Sequence, residues 1–484
     1  MTAIGRPSSR PIRWGAQLAN WTELELERFL QQVCVAVRLE PGFETVTDAN
    51  ETMALAVNQL IRFVPMVTVV LPTLNSALHA RVNEIVRDVA ANSQVKIVTE
   101  GTAGWTDYDA VLNVGRSART DVPWVTINSS GWIARVSILG GTPLPFEPAT
   151  DNPIGALAAA CLGVGAVAMR LMKVPISPTA IEVSIFDLQQ GRLGSLQIGP
   201  ELPRPKVMLK AILFGCGGVS NGWAYTVKRL PIKGEVLAID KQTLRLENCG
   251  PYVCSTSYWL GRPKAEVLRS VLAPQIDVVA YNELVEHFKI RLDLNLVQLT
   301  PIVVCGLDAI PPRHVVQRMW PDCLIDMAAG GTTTQLITHQ RADRTMCLLG
   351  ALKYSGNGDY AEQLAVDTGI TADRIRRNPT DLISQNDIDS APQHQRDALE
   401  SARNERRQIC GYISTYNLSH EQDSDQYVAA APFLSALSGV FGAAATMRAL
   451  MGMASPIHHQ FDLRTFSSRF LRMECSSDCA CNIA

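Results

Sequence analysis

Short apolar runs alternate with polar and glycine-rich stretches along the chain, a pattern that predicts buried β-strands between helices. In the first half the runs are VTVVLP (67–72), VKIVTEG (95–101), DYDAVLNVG (107–115) and PWVTINSSGWIARVSI (123–138). In the second half they are VMLKAILF (207–214), EVLAID (235–240), TPIVVCGLD (300–308) and PDCLIDMAAGGTTTQLIT (321–338). Strands that alternate with helices in this way are typical of α/β folds.

Each series of strands is followed by an apolar stretch rich in small residues, at 152–172 and 431–452. Both stretches begin near a proline, have a Gly/Ala-rich middle and carry a Met-Arg pair, and they align after a shift of about 279 positions. Two unrelated close-packed helices would share part of this pattern. Because the strands before each helix also match, we predict two α/β halves.

The pattern divides the chain into segments of different character. Only the second half keeps a glycine turn, so the first half is expected to be degenerate. Residues 347–427 are polar and helical and predict a small inserted subdomain. The predicted segments are 1–175 (degenerate half), 176–206 (connection), 207–346 (active half), 347–427 (helical insertion), 428–455 (closing helix) and 456–484 (C-terminal tail).

Composition narrows the class of protein. The 484 residues include 44 Lys+Arg and 46 Asp+Glu, and this net charge of -2 argues against a nucleic-acid groove or a basic membrane surface. We identify no signal peptide and no uninterrupted apolar run of membrane-spanning length. The 12 cysteines include no CxxC motif, which argues against a four-cysteine zinc site. We therefore expect a cytoplasmic protein without a membrane or nucleic-acid partner.

The candidate chemistry begins at residues 207–240. A buried strand leads into a turn with Gly215, Gly217 and Gly218, and the next helix offers free N–H groups to a phosphate. Asp240 closes the following strand, where an acid can bind ribose hydroxyls. Ser220 replaces the third glycine of the dinucleotide fingerprint, and no GK[ST] follows. The unit predicts a nucleotide cradle, with a purely structural glycine turn as the alternative.

Three further polar residues favour nucleotidyl transfer over hydride transfer. Asn248 lies eight residues beyond Asp240, Lys264 begins a predicted helix, and Asp308 ends the next apolar strand. A lysine for phosphates and a second acid for Mg²⁺ suit ATP chemistry. Alternatively, Lys264 is a solvated helix-start residue, Asp308 caps a helix beginning at Pro311, and the protein is a scaffold or an NAD-binding protein.

Taken together, residues 207–340 resemble the adenylation domain of ubiquitin-activating enzymes and their bacterial relatives, the ThiF/MoeB family. The resemblance implies that ATP and Mg²⁺ bind here, with Asp308 at the metal and Lys264 and Asp308 acting in catalysis. The resemblance also implies two Rossmann-like adenylation halves that form a pseudo-dimer. The first half resembles the inactive half of the pseudo-dimeric members, and the insertion resembles their catalytic-cysteine domain. The residues that carry the resemblance are Gly215, Gly217, Gly218, Asp240, Asn248, Lys264, Asp308 and Arg313.

The sequence departs from the family at two points. Pro251 stands where the family has a phosphate-binding arginine; Arg262, Arg313 or an arginine of the first half are the candidate substitutes. The family's zinc cysteines are absent, leaving only Cys347. For the thioester we predict Cys410, which follows a charged helix in the insertion, with Cys347 as the runner-up.

The implied function is activation of a ubiquitin-like protein. Its C-terminal glycine would be adenylated, moved to a cysteine thioester and passed to a conjugating-enzyme-like carrier protein. Fusion of a degenerate half to an active half resembles the bacterial enzymes of ubiquitin-like conjugation operons linked to phage defence. The alternative is an adenylating enzyme of the family's sulfur-transfer or peptide-modification branch. The sequence leaves open whether the protein forms a homodimer.

Overall fold

The computed structural model describes two compact units. The larger unit comprises residues 1–308, 312–351 and 429–484, and the smaller comprises 309–311 and 352–428. The described residues are 10–74, 76–89, 94–102, 104–138, 141–147, 150–177, 180–341, 347–352, 365–366, 368–378, 381–407, 409, 412 and 431–471.

The larger unit contains two eight-stranded sheets. The strands of the first are β1 (Cys34–Leu39), β2 (Met66–Leu71), β3 (Gln94–Thr99), β4 (Ala110–Val114), β5 (Trp124–Ser130), β6 (Ile133–Ile138), β7 (Ala180–Ser184) and β8 (Gln190–Arg192). Those of the second are β9 (Val207–Phe214), β10 (Ile232–Ile239), β11 (Ile276–Tyr281), β12 (Ile302–Cys305), β13 (Cys323–Gly330), β14 (Thr333–Gln340), β15 (Ile457–Asp462) and β16 (Ser467–Phe470).

The two sheets have the same topology. The first runs β3-β2-β1-β4-β5-β6-β7-β8, and the second runs β11-β10-β9-β12-β13-β14-β15-β16, which is the same order displaced by eight strands. In each sheet the first five strands are parallel and the last three are antiparallel. The predicted α/β fold with two Rossmann-like halves is confirmed.

Two predicted segments contribute strands to these sheets. The predicted connection 176–206 supplies β7 and β8, so the first sheet extends to Arg192. The predicted tail 456–484 supplies β15 and β16, which complete the second sheet. β7 and β15 lie in segments that also contain glycine- and proline-rich turns. Most residues of both strands are nevertheless buried, because β7 pairs with β6 and β15 pairs with β14.

The larger unit also contains helices. They are α1 (Arg10–Ala19), α2 (Glu23–Leu30), α3 (Thr47–Leu60), α4 (Ala77–Val89), α5 (Ile154–Leu171), α6 (Gly218–Val227), α7 (Lys264–Leu272), α8 (Val285–Asp293), α9 (Ile310–Gln317), α10 (Leu348–Ala351) and the second closing helix, Pro432–Leu450. Of these, α3, α5, α6, α7 and the second closing helix contact the sheets.

The two closing helices, α5 and Pro432–Leu450, are core helices. By length and composition alone both could cross a membrane, although Arg170 and Arg448 interrupt their apolar runs. Within the structure, however, 94% and 89% of these stretches are buried. Their small residues permit close packing, since a Cβ on Gly222 of α6 would lie 2.7 Å from the Cα of Ala436.

The halves share one hydrophobic core. Trp14 of the first half packs edge-on against Phe433 at 5.1 Å between ring centroids, and its indole N–H donates to the Gly331 carbonyl at 2.5 Å. Arg229 of the second half pairs with Glu51 of the first at 2.7 Å. Because apolar and polar contacts both cross between the halves, the two form an intramolecular pseudo-dimer.

The smaller unit is helical, as predicted for the insertion. Its helices are Ala372–Arg377, Gln385–Ser390 and Gln393–Asn404. Their apolar faces meet in a separate core that includes Ile388 and Leu399. Cys410, the predicted thioester cysteine, lies outside the described residues.

Candidate functional site

The glycine turn between β9 and α6 is shaped by a close approach of the backbone after β12. Gly215 has a φ of +79°, and a Cβ at this position would lie 2.9 Å from the carbonyl carbon of Gly306. The Gly306 N–H in turn donates to the Phe214 carbonyl at 2.8 Å. The Ser220 hydroxyl donates to the Gly215 carbonyl, so the residue that breaks the glycine fingerprint supports the turn. Only glycine fits at 215.

The start of α6 is open to a ligand. Gly217 is its N-cap, and a Cβ there would meet only the Tyr252 hydroxyl, at 3.6 Å. Gly218 is more confined, because a Cβ would lie 3.0 Å from the Ser435 hydroxyl. The free N–H groups of the first turn therefore face space that a phosphate can occupy.

Asp240 stands beside this turn, at the end of β10. One carboxylate oxygen accepts a hydrogen bond from the Cys216 N–H and the other from the Gln242 N–H, both at 2.7 Å. A carboxylate has about four acceptor positions, so about two stay open to ribose hydroxyls. The backbone bonds fix the carboxylate next to the glycine turn.

Lys264 is buried, with only 4% of its surface exposed, and it begins α7. This excludes the solvated helix-start alternative. Its ammonium group donates to the Tyr252 hydroxyl at 3.0 Å and to the Gln242 side chain at 2.5 Å. Burial alone would lower the pKa of Lys264, but Tyr252 and Asp240 outweigh it and raise the pKa above its ordinary value. The site thus holds a fixed positive charge.

Asn248 and Tyr252 lie in the loop after β10. Asn248 is buried, and its side-chain oxygen accepts a hydrogen bond from the Arg245 N–H at 3.0 Å. Tyr252, which the sequence reasoning missed, is also buried and lies between Lys264 and the glycine turn. The only sequence signal for it is an aromatic residue directly after Pro251.

Asp308 is exposed in the loop after β12, two residues beyond Gly306. The guanidinium of Arg313 shapes this loop, because it donates to the Leu307 carbonyl at 2.7 Å. It also pairs with the buried Asp326 at 3.4 Å. Asp308 is therefore the carboxylate available to a cation at this edge, whereas Arg313 holds the backbone.

Two of the candidates to replace the family arginine at Pro251, Arg262 and Arg313, bind elsewhere. Arg262 lies over the rings of Tyr258 and Trp259, at 5.3 and 4.8 Å from their centroids. Two first-half arginines reach this region instead. Arg62 binds carbonyls of the loop that contains Pro251. Arg10 lies 3.8 Å from Glu247 and close enough to Lys264 to act on its pKa.

At the carboxyl ends of its parallel strands, the first sheet has a glutamate side chain, Glu40, at the position that corresponds to the glycine turn. By strand register, Glu40 occupies the position of Gly215, Pro72 that of Asp240 and Ser117 that of Asp308. The Glu40 carboxylate accepts hydrogen bonds from the N–H groups of Arg116 and Ser117 at 2.6 and 2.8 Å. Burial acts to raise the pKa of Glu40, but these N–H donors lower it, so a negative charge fills the degenerate cradle.

The cysteines in the described part of the chain are poor nucleophiles. Burial raises the pKa of Cys161 to about 12 and of Cys254 and Cys323 to about 11. Cys347, the runner-up for the thioester, is only 1% exposed and packs with Trp320. The remaining cysteines, Cys410, Cys475, Cys479 and Cys481, lie outside the described residues.

Within the described ranges, no group of three or more His, Cys, Asp or Glu side chains is arranged to hold a metal ion. A lone carboxylate at Asp308 nevertheless fits the usual coordination of Mg²⁺ with ATP. In such sites one or two carboxylates, several waters and the phosphate oxygens complete the octahedron.

No protein-family model and no curated protein sequence matches this chain. Among solved structures, it is similar to Escherichia coli MccB with AMPCPP and selenomethionine MccA, at 15% identity and a TM-score of 0.35. It is also similar to E. coli MccB with MccA and to MccB without additions, each at 13% identity and a TM-score of 0.37. The matches cover 57% of this chain and 66%, 66% and 64% of the MccB chains, slightly less than two thirds. Similarity at this level carries no functional argument.

Proposed function

We propose that the protein is an ATP-dependent adenylating enzyme that activates the C-terminal carboxylate of a small protein or peptide. One observation carries the proposal. The glycine turn, Asp240 and the Asp308 loop lie at the carboxyl ends of three adjacent parallel strands, β9, β10 and β12. The strand order reverses between β9 and β12, and ligands of open α/β sheets bind at such switch points.

The residues at this edge fit ATP with Mg²⁺. The open N-terminus of α6 suits the phosphates, and the free acceptor positions of Asp240 suit the ribose. The buried ammonium of Lys264 would stabilise negative charge on the phosphates, and Asp308 would hold the cation. ATP supplies the adenylyl group: a carboxylate oxygen bonds to the α-phosphorus as the bond to pyrophosphate breaks.

We further propose that the substrate is a ubiquitin-like protein ending in glycine. Support comes from the pseudo-dimer with one filled cradle and from the helical insertion, both of which the family resemblance implies. On this proposal Cys410 takes the acyl group as a thioester, with loss of AMP, and a conjugating-enzyme-like carrier receives it. The setting proposed is a bacterial cytoplasmic conjugation operon linked to phage defence.

A second candidate ends at the adenylate and passes it to sulfur transfer or peptide modification. The observation that favours it is that each described cysteine is buried or half-buried, with Cys347 among the buried ones, since an enzyme of this branch needs no thioester cysteine. The two candidates share the ATP site and differ only in the step after adenylation.

Pyrophosphate exchange into ATP tests the shared step. The substrate is a glycine-ending small protein encoded beside this one, and the variant is Asp308→Ala. We expect exchange to fall by roughly a hundredfold or more with the fold unchanged, because transition-state charge loses its cation. The matched control is Asp277→Ala, an exposed carboxylate near the start of β11, at the opposite edge of the sheet. If the two variants catalyse pyrophosphate exchange at equal rates, Asp308 is not part of the ATP site.

Adduct formation separates the two candidates. With ATP, the wild-type protein should form a reductant-sensitive adduct with its substrate, and Cys410→Ala should lose the adduct while keeping pyrophosphate exchange. An adduct that persists in Cys410→Ala would show that another cysteine carries the thioester. Exchange without any adduct in the wild type would favour the second candidate.

A further inference from the structure

The loop at residues 249–255 lies beside the proposed ATP site and is held from the other half of the molecule. Its Tyr252 hydroxyl accepts the hydrogen bond from Lys264 and lies next to Gly217. Arg62 of the first half donates to the carbonyl of Cys249 at one end of the loop. It also donates to Val253 and Ser255 near the other end, at 3.2 and 2.9 Å. One guanidinium therefore bridges both ends of the loop that presents Tyr252.

Arg62 is suited to this task by its position and its charge. It follows Ile61, the C-cap of α3, and its Nε donates to the side chain of Asn58 at 3.0 Å, which orients the guanidinium. Burial lowers the pKa of Arg62 to about 10, so it remains charged at neutral pH. Its hydrogen bonds go to neutral oxygens. A planar group with five N–H donors can bind several carbonyls at once, which a lysine ammonium cannot do in the same geometry.

The pseudo-symmetry of the fold supplies a matched residue. Arg229 follows Lys228, the C-cap of α6, just as Arg62 follows the C-cap of α3. Arg229 also crosses between the halves, but it ends on the Glu51 carboxylate at 2.7 Å and on the Tyr225 carbonyl at 2.7 Å. Of these two equivalent arginines, only Arg62 binds the loop beside the nucleotide site.

We propose that Arg62 is a positioning residue through which the degenerate half sets the conformation of the nucleotide site. It holds the 249–255 loop so that Tyr252 fixes the ammonium of Lys264 beside the glycine turn. This inference rests on the proposed function, because it assigns Arg62 a role at the same ATP site. It also gives the first half a contribution to ATP binding although its own cradle is filled by Glu40.

Calorimetric titration with ATP and Mg²⁺ tests the inference in the full-length chain. We expect Arg62→Ala and Arg62→Lys to raise the Kd for ATP roughly ten- to hundredfold, because small displacements of binding groups have effects of this size. Arg229→Ala should change the Kd by less than about twofold, although it breaks a contact between the same halves. Methylguanidinium should restore ATP binding to Arg62→Ala and have no effect on Arg229→Ala.

The results distinguish a failure of the proposed function from a failure of the role assigned to Arg62. If the wild-type protein does not bind ATP, the proposed function fails and the inference fails with it. If the wild type binds ATP and a folded Arg62 variant binds equally well, the inference alone is overturned. Equal losses in Arg62→Ala and Arg229→Ala, without rescue, would also overturn it, because the effect would then belong to the interface in general. Circular dichroism checks folding, and Arg62→Lys serves if Arg62→Ala does not fold.

Discussion

At the scale of single residues, two glycines of one turn have different tasks. Gly215 has a positive φ and touches the backbone of Gly306, whereas Gly217 has an ordinary φ and a Cβ there would meet only the Tyr252 hydroxyl. We expect Gly215→Ala to lower the free energy of unfolding by roughly 1–3 kcal/mol because of backbone strain. Gly217→Ala should cost less than about 1 kcal/mol but weaken ATP binding roughly tenfold, since its methyl group narrows the phosphate approach.

Urea unfolding and ATP titration of the two variants check this contrast. Gly42→Ala is a control for positive φ, because a Cβ there meets nothing within 4 Å. If Gly217→Ala binds ATP as tightly as the wild type, the phosphates do not approach this part of the turn.

The residues predictable from sequence are those in a local motif. Gly215, Asp240 and Lys264 could be proposed because strand ends and a helix start fix their neighbourhood, and the structure brings them together. Tyr252 and Arg62 could not be proposed individually. Arg62 meets its loop across 187 to 193 residues of sequence, and no local pattern records such a contact.

At the scale of elements, a buried ion pair fastens β6 to β7. Arg135 and Glu182 are 1% and 0% exposed and lie 2.7 Å apart. Glu182 also accepts hydrogen bonds from the N–H groups of Ser195 and Leu196. We expect Glu182→Ala to lower the free energy of unfolding by about 3 kcal/mol, because the buried Arg135 then keeps only the half-buried Glu147, at 2.9 Å, as an ionic partner.

Denaturant unfolding measures this loss, and two comparisons define its origin. The double variant Arg135→Met, Glu182→Leu should recover most of the stability, because no buried charge remains. Arg204→Ala, which breaks an exposed pair with Asp151, should leave stability nearly unchanged. A mild effect of Glu182→Ala would mean that Glu147 alone compensates the charge of Arg135 in the variant.

Elements with a long apolar run were predictable, and short edge strands were not. The runs that became β2, β4 and β12 are buried on both faces, so hydrophobicity alone indicates them. β8 and β16 have only three and four residues and owe their structure to the neighbouring strand. β15 is further separated from β14 by the whole insertion, so its pairing depends on tertiary structure.

At the scale of the whole molecule, two sheets of equal topology provide one usable nucleotide cradle. Glu40 fills the first cradle with negative charge, and neither Pro72 nor Ser117 supplies the acids of the second. We expect one ATP per chain in calorimetry. Glu40→Ala should keep this stoichiometry while lowering the melting temperature, because the N–H groups of Arg116 and Ser117 lose their acceptor. A stoichiometry of two in either protein would contradict the degenerate assignment.

The filled cradle also bears on the history of the chain. If the two halves descend from one duplicated unit, the change to glutamate at position 40 gave the first half an acceptor for its own backbone donors. Reversion to glycine alone would leave those donors unpaired and still lack the acid that Pro72 replaced. Each single step back is therefore unfavourable. After such a duplication, the loss of the first site would behave as an evolutionary ratchet.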